Sequence, residues 1–324
     1  MTAAALQAHA PGAGCITVHP TPAVTTPAAL AQDVLHALGK TIIGTSAQHG
    51  TWADSLQPAW AATAAWVRAH GIHHLIVTRT HQLTTRRIQQ LLDLRRHTGI
   101  ELTLLWHTRP TPALTQALDG TEHHMSEDLD TALGQLQRAQ HTPPRRSTAS
   151  GHWEADRRQR RHHVTWIAPP SPSPGEAVSR PPRTSCPGAD HAPPTSAGTA
   201  SRTDETGEAT SRLAARLHTL AHPLHAAALT TTILTGTGPR QLALIRGIDI
   251  NASDTRLKTH DSPAHRRCHL HPVPAWAQTL LNAARLYQHH TTRPPDSALF
   301  PLITAHNNIT LTACAEALHL RLNR

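Results

Sequence analysis

The chain has 324 residues, 38% of them apolar and 16% charged, with a formal net charge of +9. That length exceeds one ordinary core, and the apolar share is too large for a highly charged disordered chain. No apolar run approaches the roughly 20 residues of a membrane-spanning helix, and the opening MTAAALQAHA lacks a basic start followed by a hydrophobic stretch, so a soluble, cytoplasmic protein is expected. Cys15, Cys186, Cys268 and Cys314 lie far apart with no CxxC pair, which predicts reduced thiols rather than a disulfide framework or a zinc ribbon. Lys40 and Lys258 are the only lysines among 30 basic residues. Ala, Arg, His, Thr and Pro abound as a GC-rich coding sequence would give them, so the 28 histidines carry little weight by number alone.

In chain order, CITVH (15–19) is a short β-branched run that predicts a strand. Thr26 as N-cap, Pro27 at the first helical position, apolar Leu30, Val34, Leu35 and Leu38, and Gly39 as terminator predict a helix. A second helix is expected from about Pro58 to His70, with Trp60, Ala64 and Val67 on one face. HHLIVT (73–78) reads as a buried strand, Thr85 to Thr98 as a helix with Ile88, Leu91 and Leu92 inward, and ELTLLW (101–106) as the next strand. Strand, fourteen-residue helix and strand make a βαβ unit, whose right-handed crossover implies a parallel sheet. Ser126, with Glu127 and Asp128 in the first turn, starts a further helix.

Eleven of the 26 prolines then fall between His141 and Ser211, which reads as a disordered Pro/Ser/Thr-rich linker over 141–211. It divides an α/β domain with a parallel sheet (1–140) from a mainly α domain with a β-hairpin (212–324). In the latter, helices are expected from Pro223 to about Leu234, from Pro239 to Gly247, over 275–288 and over 312–320, with TRLKT and RRCHLHPV as the hairpin strands. Residues 1–140 hold nine Lys/Arg against nine Asp/Glu, the linker nine against seven, and the last part twelve against five. A net +7 on 212–324 makes that part the place to seek a polyanionic partner.

A phosphate-binding loop needs GxxxxGK[ST]. LGKT (38–41) offers Gly39-Lys40-Thr41, but Val34 stands where the first glycine belongs, and Gly39 reads as a helix terminator. APGAGCI (10–16) has Gly12 and Gly14, with Cys15 and Ile16 in place of lysine and hydroxyl.

The segment LIVTRTHQLTTRRIQQLLDLRRHTGIELTLLWH resembles the Walker B region of AAA+ ATPases of the transposition-accessory kind. His81 and Leu83 match that pattern, whereas Thr78 and Arg79 occupy the positions of its Asp-Glu pair. Since that pair holds magnesium and orients water, the resemblance implies an ATPase-like domain over roughly 14–140 that neither hydrolyses ATP nor binds it tightly. LTGTGPRQLALIRGIDI (234–250) resembles the first conserved box of the tyrosine recombinases, with Thr235, Gly236, Leu242, Asp249 and Ile250 in register. LKT (257–259) followed by RRCHLHPVP is similar to that family's hairpin, which aligns Lys258 with the hairpin lysine, and LFP (299–301) matches the segment after the next helix. Gly238 stands at the first catalytic arginine, with Arg240 two residues away, and Gln241 at the glutamate. The His-x-x-Arg box has no counterpart before Arg324, and Tyr287, the only tyrosine, is far from the nucleophile's position. No intact catalytic set is present.

Two histidine groups contain metal-ligand residue types. His218, His222 and His225 have helical spacing but are interrupted by Pro223, and His265, Cys268, His269 and His271 lie on the hairpin, where period 2 sends neighbours to opposite faces. No metal or cofactor is therefore expected. The basic run DRRQRRHH (156–163) reads as a solvated, disordered stretch of linker, with nonspecific nucleic-acid contact as the alternative. The sequence thus predicts a non-catalytic, DNA-associated protein from a mobile-element or recombination context. Duplex DNA would be its partner, and Arg240, Arg246, Lys258, Arg266 and Arg267 the phosphate-contacting residues. A scaffold binding a recombinase or ATPase subunit is the other reading.

Overall fold

The β-branched and apolar runs form strands as expected. In a computed structural model that describes residues 2–22, 26–43, 52–106, 112–126, 128–141, 203–251, 253–261, 268–300 and 308–320, β1 (Cys15–Val18), β2 (His74–Val77) and β3 (Glu101–Leu104) make a parallel sheet in the order β1-β2-β3. Before β1 comes α1 (Thr2–Gln7). The β1–β2 crossover carries α2 (Ala29–Ala37) and α3 (Leu56–Ala69), and the β2–β3 crossover carries α4 (Thr85–Thr98). The Thr84 hydroxyl accepts the Arg87 amide at the start of α4, and Gly99, at φ +75°, closes its end. Thr26 and Pro27 precede α2 rather than starting it, because Ala28 ends a turn there and provides the cap position.

Alternate strand residues serve two layers. Ile16, Val18, Leu75 and Val77 pack with Leu30 and Val34 of α2, Ala64 and Val67 of α3, and Ile88 and Leu91 of α4. Cys15 and Ile76 pack on the opposite side with Ala5 of α1, Leu105 and Leu136. Leu136 belongs to α6 (Leu129–His141), which follows α5 (Pro112–Leu118). Asp128, not Ser126, caps α6, since its carboxylate accepts the amide and hydroxyl of Thr131.

The second part is helical, with α7 (Thr203–His218), α8 (Pro223–Thr235), α9 (Pro239–Leu242), α10 (Ala275–His290) and α11 (Asn308–Ala317). β4 (Arg256–His260) and β5 (Cys268–Pro272) form an antiparallel hairpin in which Lys258 faces Leu270. Helix α7 begins inside the segment assigned to the linker, and the rest of that segment, 142–202, lies outside the described residues. The helix expected through Gly247 stops at Leu242. The chain turns there to pair Arg246 with Ala298, and Gly247 sits where a Cβ would strike the Gln288 side chain. Among the described residues no helix is long and apolar enough to cross a membrane, and no disulfide joins Cys15, Cys268 and Cys314.

The segments that the sequence divides meet in one core. Leu35 of α2 and Ala61, Ala62, Ala65 and Trp66 of α3 are buried with Leu217, Leu224, Leu229, Leu281, Tyr287 and Phe300, and both segments belong to one compact unit. Helix α3 is apolar nearly all round because one side meets the sheet and the other meets α10. At this seam the Trp66 indole N–H donates to the Ala221 carbonyl at 2.7 Å, and Thr41 exchanges backbone bonds with Thr219 and Ala221. Lys40 is only 2% exposed, its ammonium 3.4 Å from the Trp66 ring centroid and donating to the His218 carbonyl at 2.6 Å. Burial brings Lys40 down to about 7.

Candidate nucleic-acid interface

The hairpin stands at the edge of the helical part and is anchored on one side. Leu257 is fully buried, and Thr259 bonds His271 across the hairpin at 2.9 Å. The alternate positions Arg256 and Lys258 point the other way by the period of the strand; Arg256 is exposed and Lys258 partly so. Helix α9 packs beside β4 and carries exposed Arg240. Among the described residues, no ion pair holds Arg240, Arg256 or Lys258. Leu270, opposite Lys258, and Ile248, in the turn before β4, are each 53% exposed.

Of the five arginines and lysines chosen from the sequence, the structure thus brings Arg240 and Lys258 to adjoining elements. Arg246 has a different place. Its side chain is 27% exposed, with Nε 3.6 Å from an Asp249 carboxylate oxygen that also accepts the Arg246 amide at 2.8 Å and lies 3.1 Å from Nε2 of fully buried His260. Arg246 therefore belongs to an internal network that ties the turn to β4. Arg266 and Arg267 lie outside the described residues. Arg256 was missed, although a step of two from Lys258 along a strand marks it.

The remaining motif positions have structural partners. Gln241 Oε1 accepts the Gly238 amide at 3.2 Å and so satisfies a backbone donor at the start of α9. Tyr287 is buried within α10, 5.1 Å from the His222 ring, and burial raises its phenol. His218 bonds the Trp276 carbonyl, and His222 caps α8 by accepting the Leu224 amide. His225 stacks on His222 at 4.2 Å and reaches Cys314 at 3.6 Å. Burial lowers His225 to about 4 and His222 well below its usual value, as stacked neutral rings require. Among the described residues, no group of three His, Cys, Asp or Glu side chains could hold a metal ion.

Thr78 and Arg79, at the place of the Walker B acidic pair, lie just past the carboxyl end of β2. Thr78 is buried and bonds the His19 imidazole at 2.8 Å, whereas Arg79 is exposed and adopts the left-handed conformation at φ +51°. No carboxylate is supplied by either residue. In comparisons with known proteins, no family model, curated protein or solved structure matches this chain.

Proposed function

We propose that this chain is a non-catalytic DNA-associated protein, of a mobile-element or recombination context, that meets duplex DNA over the β4–β5 hairpin and the adjoining α9. The observation that carries this reading is the set of Arg240, Arg256 and Lys258 on neighbouring elements, without ion-pair partners among the described residues, in a part of the chain with a net +7. Unpaired cations on one face are what phosphate contact requires, and such contacts position a protein without reading bases. The buried Tyr287 and the absence of an acidic pair at Thr78-Arg79 support the non-catalytic side of the reading.

Fluorescence anisotropy of the full chain with a duplex over a salt series tests it. Three phosphate contacts give a slope of log affinity against log salt of roughly −2.7, from about −0.9 each, and Arg266 and Arg267 would steepen it. Removing Arg240 or Arg256 should flatten the slope by about one unit and weaken all sequences alike. No binding at low ionic strength, or a slope indifferent to these substitutions, refutes the DNA reading. Exposed Ile248 and Leu270 beside the hairpin favour the second reading, a scaffold that binds a recombinase or ATPase subunit through an apolar contact. In that case Leu270→Ser abolishes association and the salt slope is absent.

A further inference from the structure

At the carboxyl edge of the sheet, two buried threonines pin the chain on either side of one exposed arginine. Thr78 N donates to the Val18 carbonyl at 3.0 Å, and the Thr78 hydroxyl bonds that carbonyl and His19 Nδ1, which ties the end of β2 to the end of β1. The amide and hydroxyl of Thr80 donate to the Leu105 carbonyl at 3.1 and 2.6 Å, which ties the same loop to the residue after β3. Both threonines are fully buried. Arg79, held between these anchors, takes φ +51° and ψ +34°, a region that costs an L-residue energy and that glycine enters freely. The strain is thus imposed by five hydrogen bonds, and it leaves a long cation exposed at the middle of the sheet.

Ligands of open α/β sheets gather outside the carboxyl ends of the strands. Here that edge presents Arg79 from β2 and His19 from β1. Arg79 has no ion-pair partner among the described residues. With His19 Nδ1 engaged by Thr78, Nε2 is the nitrogen left to meet a ligand. Burial and the Arg79 charge lower the imidazole, against the opposing pull of Asp33. Asp33 is the carboxylate that bears on this ring, and both of its oxygens already accept hydrogen bonds, from the Thr21 amide and hydroxyl. A forked guanidinium suits the oxygens of a phosphate group, and since the Thr78 hydroxyl donates to Val18, His19 Nδ1 carries a proton and Nε2 donates to phosphate when the ring is protonated, the form that a bound anion favours.

We propose that Arg79 and His19 form a binding site for the phosphate group of a small ligand at the carboxyl edge of the parallel sheet, separate from the hairpin surface and independent of the DNA reading. Among the described residues, the carboxylate that bears on this site is Asp33, whose oxygens are taken by Thr21, so the site is one that holds an anion.

The test uses the full chain at fixed ionic strength, with inorganic phosphate, adenosine monophosphate, sulfate or chloride as the added anion and the urea midpoint as readout. Phosphate should raise the midpoint above chloride, and binding of the anion should raise the His19 titration midpoint in the NMR spectrum, the His19 signal being identified by its loss in His19→Asn. Arg79→Gly relieves the left-handed strain and should raise the midpoint in chloride while removing the phosphate response. Arg79→Lys, which keeps the charge but loses the fork, should weaken that response several-fold. A stronger effect of the nucleotide than of inorganic phosphate identifies a nucleotide as the source, and equal effects identify free phosphate. The proposal fails if phosphate, sulfate and chloride act alike, if Arg79→Gly responds to phosphate as the native chain does, or if Arg79→Gly lowers the midpoint in chloride, which would make Arg79 a structural residue. The DNA salt slope should be untouched by Arg79→Gly, so this outcome and that of the DNA reading are separable.

Discussion

The two lysines of the chain occupy opposite surroundings. At the seam between the α/β layers and the helical layer, Lys40 is out of water, with an indole face and a carbonyl as neighbours. On the hairpin, Lys258 stands partly in solvent beside Arg256 and opposite Leu270. Desolvation disfavours the charge of the first, whereas the second stands where a polyanion can meet it. The seam joins the molecule internally and the hairpin faces outward, a difference that a sum of charges along the sequence does not contain.

The largest effect should come from the seam. Trp66→Ala removes a fully buried indole and the Ala221 bond, and should cost about 3–5 kcal/mol. Because the core is shared, urea unfolding should remain one transition in which both parts melt together; two separated transitions would show that the seam is weaker than its packing suggests. Next, a protease site introduced within 146–197 and then cut should leave two pieces that co-elute on gel filtration, since residues on both sides share one core. Elution as separate species would restore the picture of two autonomous domains.

Lys40→Met sharpens the contrast through pH. A folded value of about 7, below the usual lysine value of about 10.5, means the unfolded chain binds more protons between those limits, so native stability rises with pH across that window. The advantage of Met over Lys should therefore shrink by on the order of 3 kcal/mol between pH 7 and pH 10, as measured by urea denaturation at each pH. His70, which caps the end of α3, and His218 of α7 also face Lys40; burial, Lys40 and His218 lower His70 to about 3, and burial and Lys40 lower His218 against its bond to Trp276, so neither carries charge in that window. An unchanged difference would mean that the Lys40 amine stays charged. The smallest effect belongs to the hairpin, where Lys258→Met should alter stability by no more than about 0.5 kcal/mol yet flatten the DNA salt slope by about one unit.

Much of the α/β layering was legible because it is local. Thr84, the inward Ile88 and Leu91, and Gly99 define α4 without reference to the rest of the chain, and period 2 in HLIV and CITV distributes the two sheet faces. The hairpin was legible for the same reason. The seam was not, because its contacts join residues far apart and no periodicity specifies which apolar face meets which. A signal was nevertheless present: LQPAWAATAAWVRA has almost no polar face, and a helix without one must be covered on both sides. In the candidate site, Lys258 followed from the strand pattern, while the tie of Arg246 to Asp249 and His260 depends on a turn that the expected longer helix concealed.

The same seam bears on how the chain is made. Trp66 and its partner Ala221 are separated by 155 residues, so at translation rates of about 5–20 residues per second the exposed flank of α3 waits roughly 8–30 s for the helices that cover it. Throughout that interval the nascent sheet layer presents Ala61, Ala62, Ala65 and Trp66 to solvent as an adhesive surface, and such high sequence separation slows closure further. Synthesis of this protein therefore passes through an obligatory period in which chaperone capture competes with self-association, and the 155-residue separation of Trp66 from Ala221 sets how long that period lasts.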